Sequence, residues 1–360
     1  MDKYLILQKT DFNNFITKLA KIQRLFAPVS KGYNNFAFEQ VKNADHICTT
    51  YIPTILPPKK YFMPQKEKIL EFNKKQKKWD PVIEAEKLTI FGVHTCDLAG
   101  IQCLNMVFNT DPKDINYINR KNNISIIGFE CNFYCDKFAS CAVMDNHVPN
   151  GGYDLFLTEF KTYFLIHLNN GNDLIKNMDF LKPAHPCHIR QLEKLREKKR
   201  KIFKPEVKVK YNDLKPLFEK SFNSKVWDDL DKRCVACGNC TNVCPTCYCF
   251  DIKDDINLDF NTGSRIRVWD SCQTEEFAKV AGGENFRKKR GLRQLHRYMR
   301  KFNYPVNKFN RHFCTGCGRC SRTCMAKINL KETINELAMA HGLAMAHGLA
   351  MAHGLAMAHG

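Results

Sequence analysis

The sequence lacks any long apolar run. No stretch approaches the roughly 18 uncharged apolar residues that a membrane-spanning helix requires. The opening MDKYLILQKTDFNNF puts polar residues where a signal peptide would carry its apolar core. Nucleotide fingerprints are missing too. No G-x-G-x-x-G follows a strand-like run, no G-x4-G-K-[ST] occurs, and Ala281-Gly282-Gly283 is too short to count. Helix-turn-helix, RNP-type and finger motifs are absent, as is the His or Cys pattern of a haem or nickel site. Acidic residues are scarce, with 37 Asp+Glu against 56 Lys+Arg for a net charge of +19. These absences exclude a membrane span and argue against a flavin or nicotinamide held by this chain alone. The expectation is a cytoplasmic protein.

Charged residues at 26% and apolar residues at 44% describe a globular chain. The last stretch, residues 337–360, is four copies of Leu-Ala-Met-Ala-His-Gly. Its histidines (His341, His347, His353, His359) recur every six residues, so on a helix they point to different sides and form no metal-binding stripe. It reads as a low-complexity tail with no functional role.

What is abundant is cysteine, with 18 in all. A reducing cytosol disfavours disulfides, and buried structural cysteines do not fall into repeated short spacings. Here they do. Cys234-Val-Ala-Cys237-Gly-Asn-Cys240-Thr-Asn-Val-Cys244-Pro245 is C-x2-C-x2-C-x3-C-P. Cys314-Thr-Gly-Cys317-Gly-Arg-Cys320-Ser-Arg-Thr-Cys324 repeats the spacing, with Met325 in place of the proline. Three cysteines at this spacing wrap one corner of a 4Fe-4S cubane, and the fourth ligates the neighbouring cluster. The predicted sets are therefore crossed. Cys234, Cys237, Cys240 and Cys324 hold one cluster; Cys314, Cys317, Cys320 and Cys244 hold the other. Gly238 and Gly318 would let the backbone approach the sulfurs. Structural zinc is the competing reading, but it needs four ligands in two pairs rather than two complete runs of four.

Hydrophobic patterning divides the chain. A helix is expected around Asp11 to Phe26. Strands are expected at residues 88–93 and 124–129, with a helix between them at 98–108 and a strand pair at 153–158 and 163–168. Strand, helix, strand suggests α/β layers over residues 85–185, within an α/β domain assigned to residues 1–205. Residues 190–210, with ten Lys/Arg and three acids, read as a solvated helix and linker. Residues 222–336 are expected to form a mainly helical ferredoxin-like domain, with helices at 274–281 and 290–302. The long spacing from Cys244 to Cys314 holds Cys247, Cys249 and Cys272, one sulfur short of a cubane and without an assigned role.

The combination of the CVACGNCTNVCPTCYCF run, Trp269-Asp-Ser-Cys272-Gln273, the segment Phe277 to Arg287, and HFCTGCGRC resembles one family. It is that of the sulfhydrogenase beta subunit and its close relative in anaerobic sulfite reductase, over about residues 85–335. The resemblance implies a cytoplasmic electron-transfer subunit rather than a complete enzyme. Such a protein sits between a catalytic subunit, either a siroheme sulfite reductase or a nickel–iron hydrogenase, and a flavin- and NAD(P)H-binding subunit. Its counterparts usually read G-x-R-x-C-D where this chain has Gly92-Val-His94-Thr-Cys96-Asp97, and end in C-F-C where this chain has Ala139-Ser-Cys141. Cys135 restores the count, so Cys96, Cys131, Cys135 and Cys141 form a candidate third cluster site, with scattered structural cysteines as the alternative. Cys103 is expected in the core.

Twelve Lys/Arg and no acid lie between Arg287 and Arg322. Such cations would raise the potential of an anionic cluster or form a basic face that docks an acidic partner. The alternative from another class is an iron–sulfur nucleic-acid-binding or regulatory protein, for which this patch would be the electrostatic footprint.

Overall fold

A computed structural model describes residues 4–203 and 207–342. These separate into two units. The first comprises the described residues of Met1–Cys135, Asn146–Phe203 and Phe250–Trp269, and the second those of Asp136–Asp145, Lys204–Cys249 and Asp270–Gly360.

The first unit is an α/β body. Its chain runs β1 (Tyr4–Gln8), α1 (Phe12–Ile22), β2 (Arg24–Ser30), β3 (Phe36–Val41), α2 (Lys59–Phe62), β4 (Lys66–Asn73) and β5 (Lys78–Pro81). There follow β6 (Leu88–His94), α3 (Thr95–Phe108), α4 (Ile115–Asn123), β7 (Ile124–Phe129), β8 (Leu155–Glu159) and β9 (Tyr163–Leu168). The last elements are α5 (Asn172–Ile175), β10 (Lys182–Pro183), α6 (Pro186–Ile202), and the hairpin β11 (Phe250–Ile256) and β12 (Thr262–Trp269). An 8-stranded sheet has the order β10-β1-β9-β8-β7-β6-β2-β3. Its centre, β2-β6-β7-β8, is parallel. β6 is buried along its whole length, Thr89 and His94 included, as expected of a central strand covered on both faces.

Helix α1 places Phe12, Phe15, Ile16 and Leu19 on one face. The last three are fully buried with Phe91, Ile127 and Phe164 of the sheet. The expected helix through Phe26 instead ends at Ile22. Residues 24–30 form a strand because they bridge β6 and β3, a tertiary gain that overrides local propensity.

The range 222–336, expected to be mainly helical, also contains a β-hairpin. Strands β11 and β12 pair into a 4-stranded sheet of order β11-β12-β4-β5. Arg267 of β12 reaches Glu67 of β4 at 2.5 Å and also pairs with Asp114, all within the first unit. Glu67 also pairs with Arg120. A buried carboxylate held by two guanidiniums is expensive to break once formed, and it fixes the hairpin on β4.

The second unit contains α7 (Leu214–Lys220), α8 (Val226–Arg233), α9 (Asn239–Asn242), α10 (Arg290–Phe302), α11 (Tyr304–Phe309), α12 (Arg319–Arg322) and α13 (Leu330–Ala340). Its core joins Leu217 and Phe218, Trp227 and Leu230, Tyr298 and Phe302, and Ile334 and Leu337. The helix expected at 274–281 shrinks to one short turn at Glu276–Ala278, because Gly282 and Gly283 leave nothing to propagate it.

The terminal repeat is also corrected in part. Its first two residues, Leu337 and Ala338, lie on α13 and are fully buried. That beginning is core, not tail. Residues 343–360, including His347, His353 and His359, lie outside the described residues.

Candidate functional site

Both cysteine runs lie in the second unit, and each follows the same local plan. α8 ends as Cys234 donates its backbone N–H to Leu230 O, and the loop then turns through Gly238 at φ +77 into α9. In the second run Gly318 at φ +73 leads into α12. Left-handed backbone suits glycine, and at Gly318 space demands it as well. A Cβ there would lie 2.7 Å from the Phe138 carbonyl carbon. The segment 136–145 lies against this loop, with Ser140 N–H donating to Gly316 O at 2.8 Å and Arg322 paired to Asp136.

The chain returns so that each loop faces the last cysteine of the other. One cavity is lined by Cys234, Cys237, Cys240, Cys320 and Cys324. A second is lined by Cys314, Cys317, Cys320 and Cys244. Arg297 lines both. Asn239 donates its side-chain N–H to Thr323 O, tying the two short helices together.

Amide donors converge on the sulfurs. Cys234 Sγ accepts from Ala236 N at 3.4 Å and from Gln294 Nε2 at 3.1 Å, and Cys324 Sγ accepts from Ile328 N at 3.3 Å. Donors aimed at sulfur stabilise thiolate over thiol. Burial works the other way. It pushes the Cys240 thiol up to about 12 and raises Cys314 as well. Cysteines gathered around one cavity, with amide donors on Cys234 and Cys324, suit a metal core that deprotonates them outright. Among the described residues no three His, Cys, Asp or Glu side chains converge as ligands of a single ion.

These features decide how the likenesses are read. Residues 233–328 match the family described as 4Fe-4S dicluster domain. The chain is 33% identical over 343 residues to sulfhydrogenase 2 subunit beta of Pyrococcus furiosus, covering 93% of this chain and 98% of that one. The chain belongs to the sulfhydrogenase beta-subunit family. No solved structure matches it. No helix among the described residues is long and apolar enough to cross a membrane.

Several residues beside the family's cysteine runs escaped the sequence reading. Gln294 is one. Thr246 is another: it accepts from Lys301 Nζ at 2.6 Å, lies 3.3 Å from Cys244 Sγ and hydrogen-bonds Phe313 O. The basic stretch 287–322 is also not simply a face. Arg293, Arg297, Lys301 and Arg319 are buried. The sign available in the sequence was spacing, since 293, 297 and 301 fall on one side of a helix.

Cys247, Cys249 and Cys272 form pairs rather than a trio. Cys247 hydrogen-bonds Cys244, which raises its pKa. Cys249 bonds Cys272, which keeps Cys249 protonated and lowers Cys272, whose sulfur also accepts from Gln273.

The upstream cysteines divide between the units. In the first unit Cys131 and Cys135 line a cavity with His94, beyond the carboxyl ends of β6 and β7. Cys135 hydrogen-bonds Cys131 and lowers its pKa against the opposing effect of burial, and His94 and Lys199 favour the thiolate further. Tyr51 stacks on His94 at 3.9 Å. Cys96 is buried in the first turn of α3 and Cys103 in its core side. Cys141 lies in the second unit, on the segment 136–145.

Proposed function

We propose that this chain is the iron–sulfur electron-transfer subunit of a cytoplasmic oxidoreductase complex. It passes electrons between a catalytic subunit, which is a siroheme sulfite reductase or a nickel–iron hydrogenase, and a flavin- and NAD(P)H-binding subunit. The observation that carries this reading is the pair of cysteine-lined cavities, five cysteines in one and four in the other, with Cys320 and Arg297 on the wall of both. A 4Fe-4S cluster in each would supply one-electron carriers at close range.

The ligand sets follow the lining. Cys234, Cys237, Cys240 and Cys324 hold the first cluster; Cys314, Cys317, Cys320 and Cys244 hold the second. Gln294, Ala236 N–H and Ile328 N–H donate to ligand sulfurs and so favour the more reduced, more negative state. α8, α10 and α13 pack behind the loops and keep water from the inner sulfurs. The ferredoxin-like character of residues 222–336 belongs to this proposal. So does a third cluster at Cys96, Cys131, Cys135 and Cys141, supported by the thiolate-favouring surroundings of Cys131.

The test is co-purification of the natively expressed chain under anaerobic conditions. A flavoprotein and a redox-enzyme subunit should come with it. Salt-sensitive retention of bulk DNA or RNA without such partners would favour the nucleic-acid reading and defeat this one.

A further inference from the structure

Helix α10 repeats a cation every fourth residue, at Arg293, Arg297 and Lys301, and all three side chains are buried. A buried charge is costly unless something nearby carries the opposite sign. For Arg297 that something is sulfur: it lines the first cavity beside Cys240 and Cys320 and the second beside Cys320 and Cys244. Its Nε has no hydrogen-bond partner among the described residues. The guanidinium is therefore a cation with unused donor capacity, on the wall common to both cavities.

Lys301 differs. Its amino group donates to Thr246 Oγ1 at 2.6 Å, and that hydroxyl lies 3.3 Å from Cys244 Sγ. It lines neither cavity and stands on the Cys244 side.

We propose that Arg297 is a shared positioning residue that sets the reduction potentials of both clusters at once. This rests on the reading that the two cavities hold clusters. Reduction of either adds one electron, hence one negative charge, and neither makes nor breaks a bond. A fixed cation beside both sites stabilises that added charge wherever it resides. The same charge therefore raises both potentials together, so that removing it should lower both.

The test is an EPR-monitored redox titration of the anaerobically purified full chain, with iron measured on the same samples. Arg297→Met should keep its iron while both midpoints move negative. At fixed ambient potential each reduction equilibrium should fall about tenfold, about 59 mV for one electron. Arg297→Lys, which keeps the charge, should restore most of the shift. Lys301→Met should move only the cluster that includes Cys244. Should Arg297→Met shed iron, Arg297→Gln takes its place in the same titration. Loaded variants with unmoved midpoints, or with only one moved, would overturn the shared role while leaving the cluster assignment standing. A wild-type chain that binds no iron would sink the reading beneath it instead.

Discussion

Gln294 donates its side-chain Nε2–H to the sulfur of Cys234 at 3.1 Å. The contact joins the middle of α10 to the first cysteine of a loop 60 residues away, and Gln294 lines the first cavity but not the second. A hydrogen bond to a cluster sulfur favours reduction. Gln294→Leu should keep full iron content and lower the potential of the first cluster alone. The shift should match one hydrogen bond, about 0.5–1.5 kcal/mol. Redox titration of variant and wild type reads it directly.

The crossed pairing makes an asymmetric prediction. Cys244→Ala should damage the cluster held by Cys314, Cys317 and Cys320 and spare the one held by its own loop; Cys324→Ala should do the reverse. Loss of one thiolate leaves three ligands, so a three-iron product is expected in each case. EPR spectra in which each substitution acts on its own loop's cluster would reject the pairing.

Much of this was legible because it is local. Cysteine spacing, the apolar stripe of α1 and the buried runs of β6 and β7 are short-range patterns. The hairpin at Phe250–Ile256 and Thr262–Trp269 was not, since it alternates charged residues on an exposed strand and is fixed by Arg267 meeting Glu67, 200 residues away. Nor could spacing alone say that Arg293, Arg297 and Lys301 face inward. In sequence the same run of cations reads as bearing on the clusters or as a docking face, and which of its members are buried is decided only by the packing of α10.

Backbone geometry at the second loop can be tested without reference to redox. Gly318 has φ +73, and a Cβ there would meet the backbone of Phe138 and Ala139 at 2.7 to 2.9 Å. Gly318→Ala should cost on the order of 1–3 kcal/mol of stability. Gly282, which has open space around its Cβ direction, is the control, and Gly282→Ala should stay within about 0.5 kcal/mol. Anaerobic denaturant unfolding compares the two.

The upstream cysteines give a prediction in iron atoms. With a third cluster present, Cys135→Ser and Cys96→Ser should each lose about four irons and leave the ferredoxin pair intact, because a serine oxygen replaces a soft thiolate poorly. Cys103→Ser, buried on α3, should cost packing but no iron. If Cys135→Ser and Cys96→Ser both retain full iron, these cysteines are structural.

The most direct measurement is the iron and acid-labile sulfide content of anaerobically purified chain, read together with its EPR spectrum. Two cubanes give about eight irons and eight sulfides per chain, and a third raises both to about twelve, with reduced spectra of paired, interacting 4Fe-4S centres. A folded chain that contains zinc in place of iron, with no labile sulfide, would contradict the account.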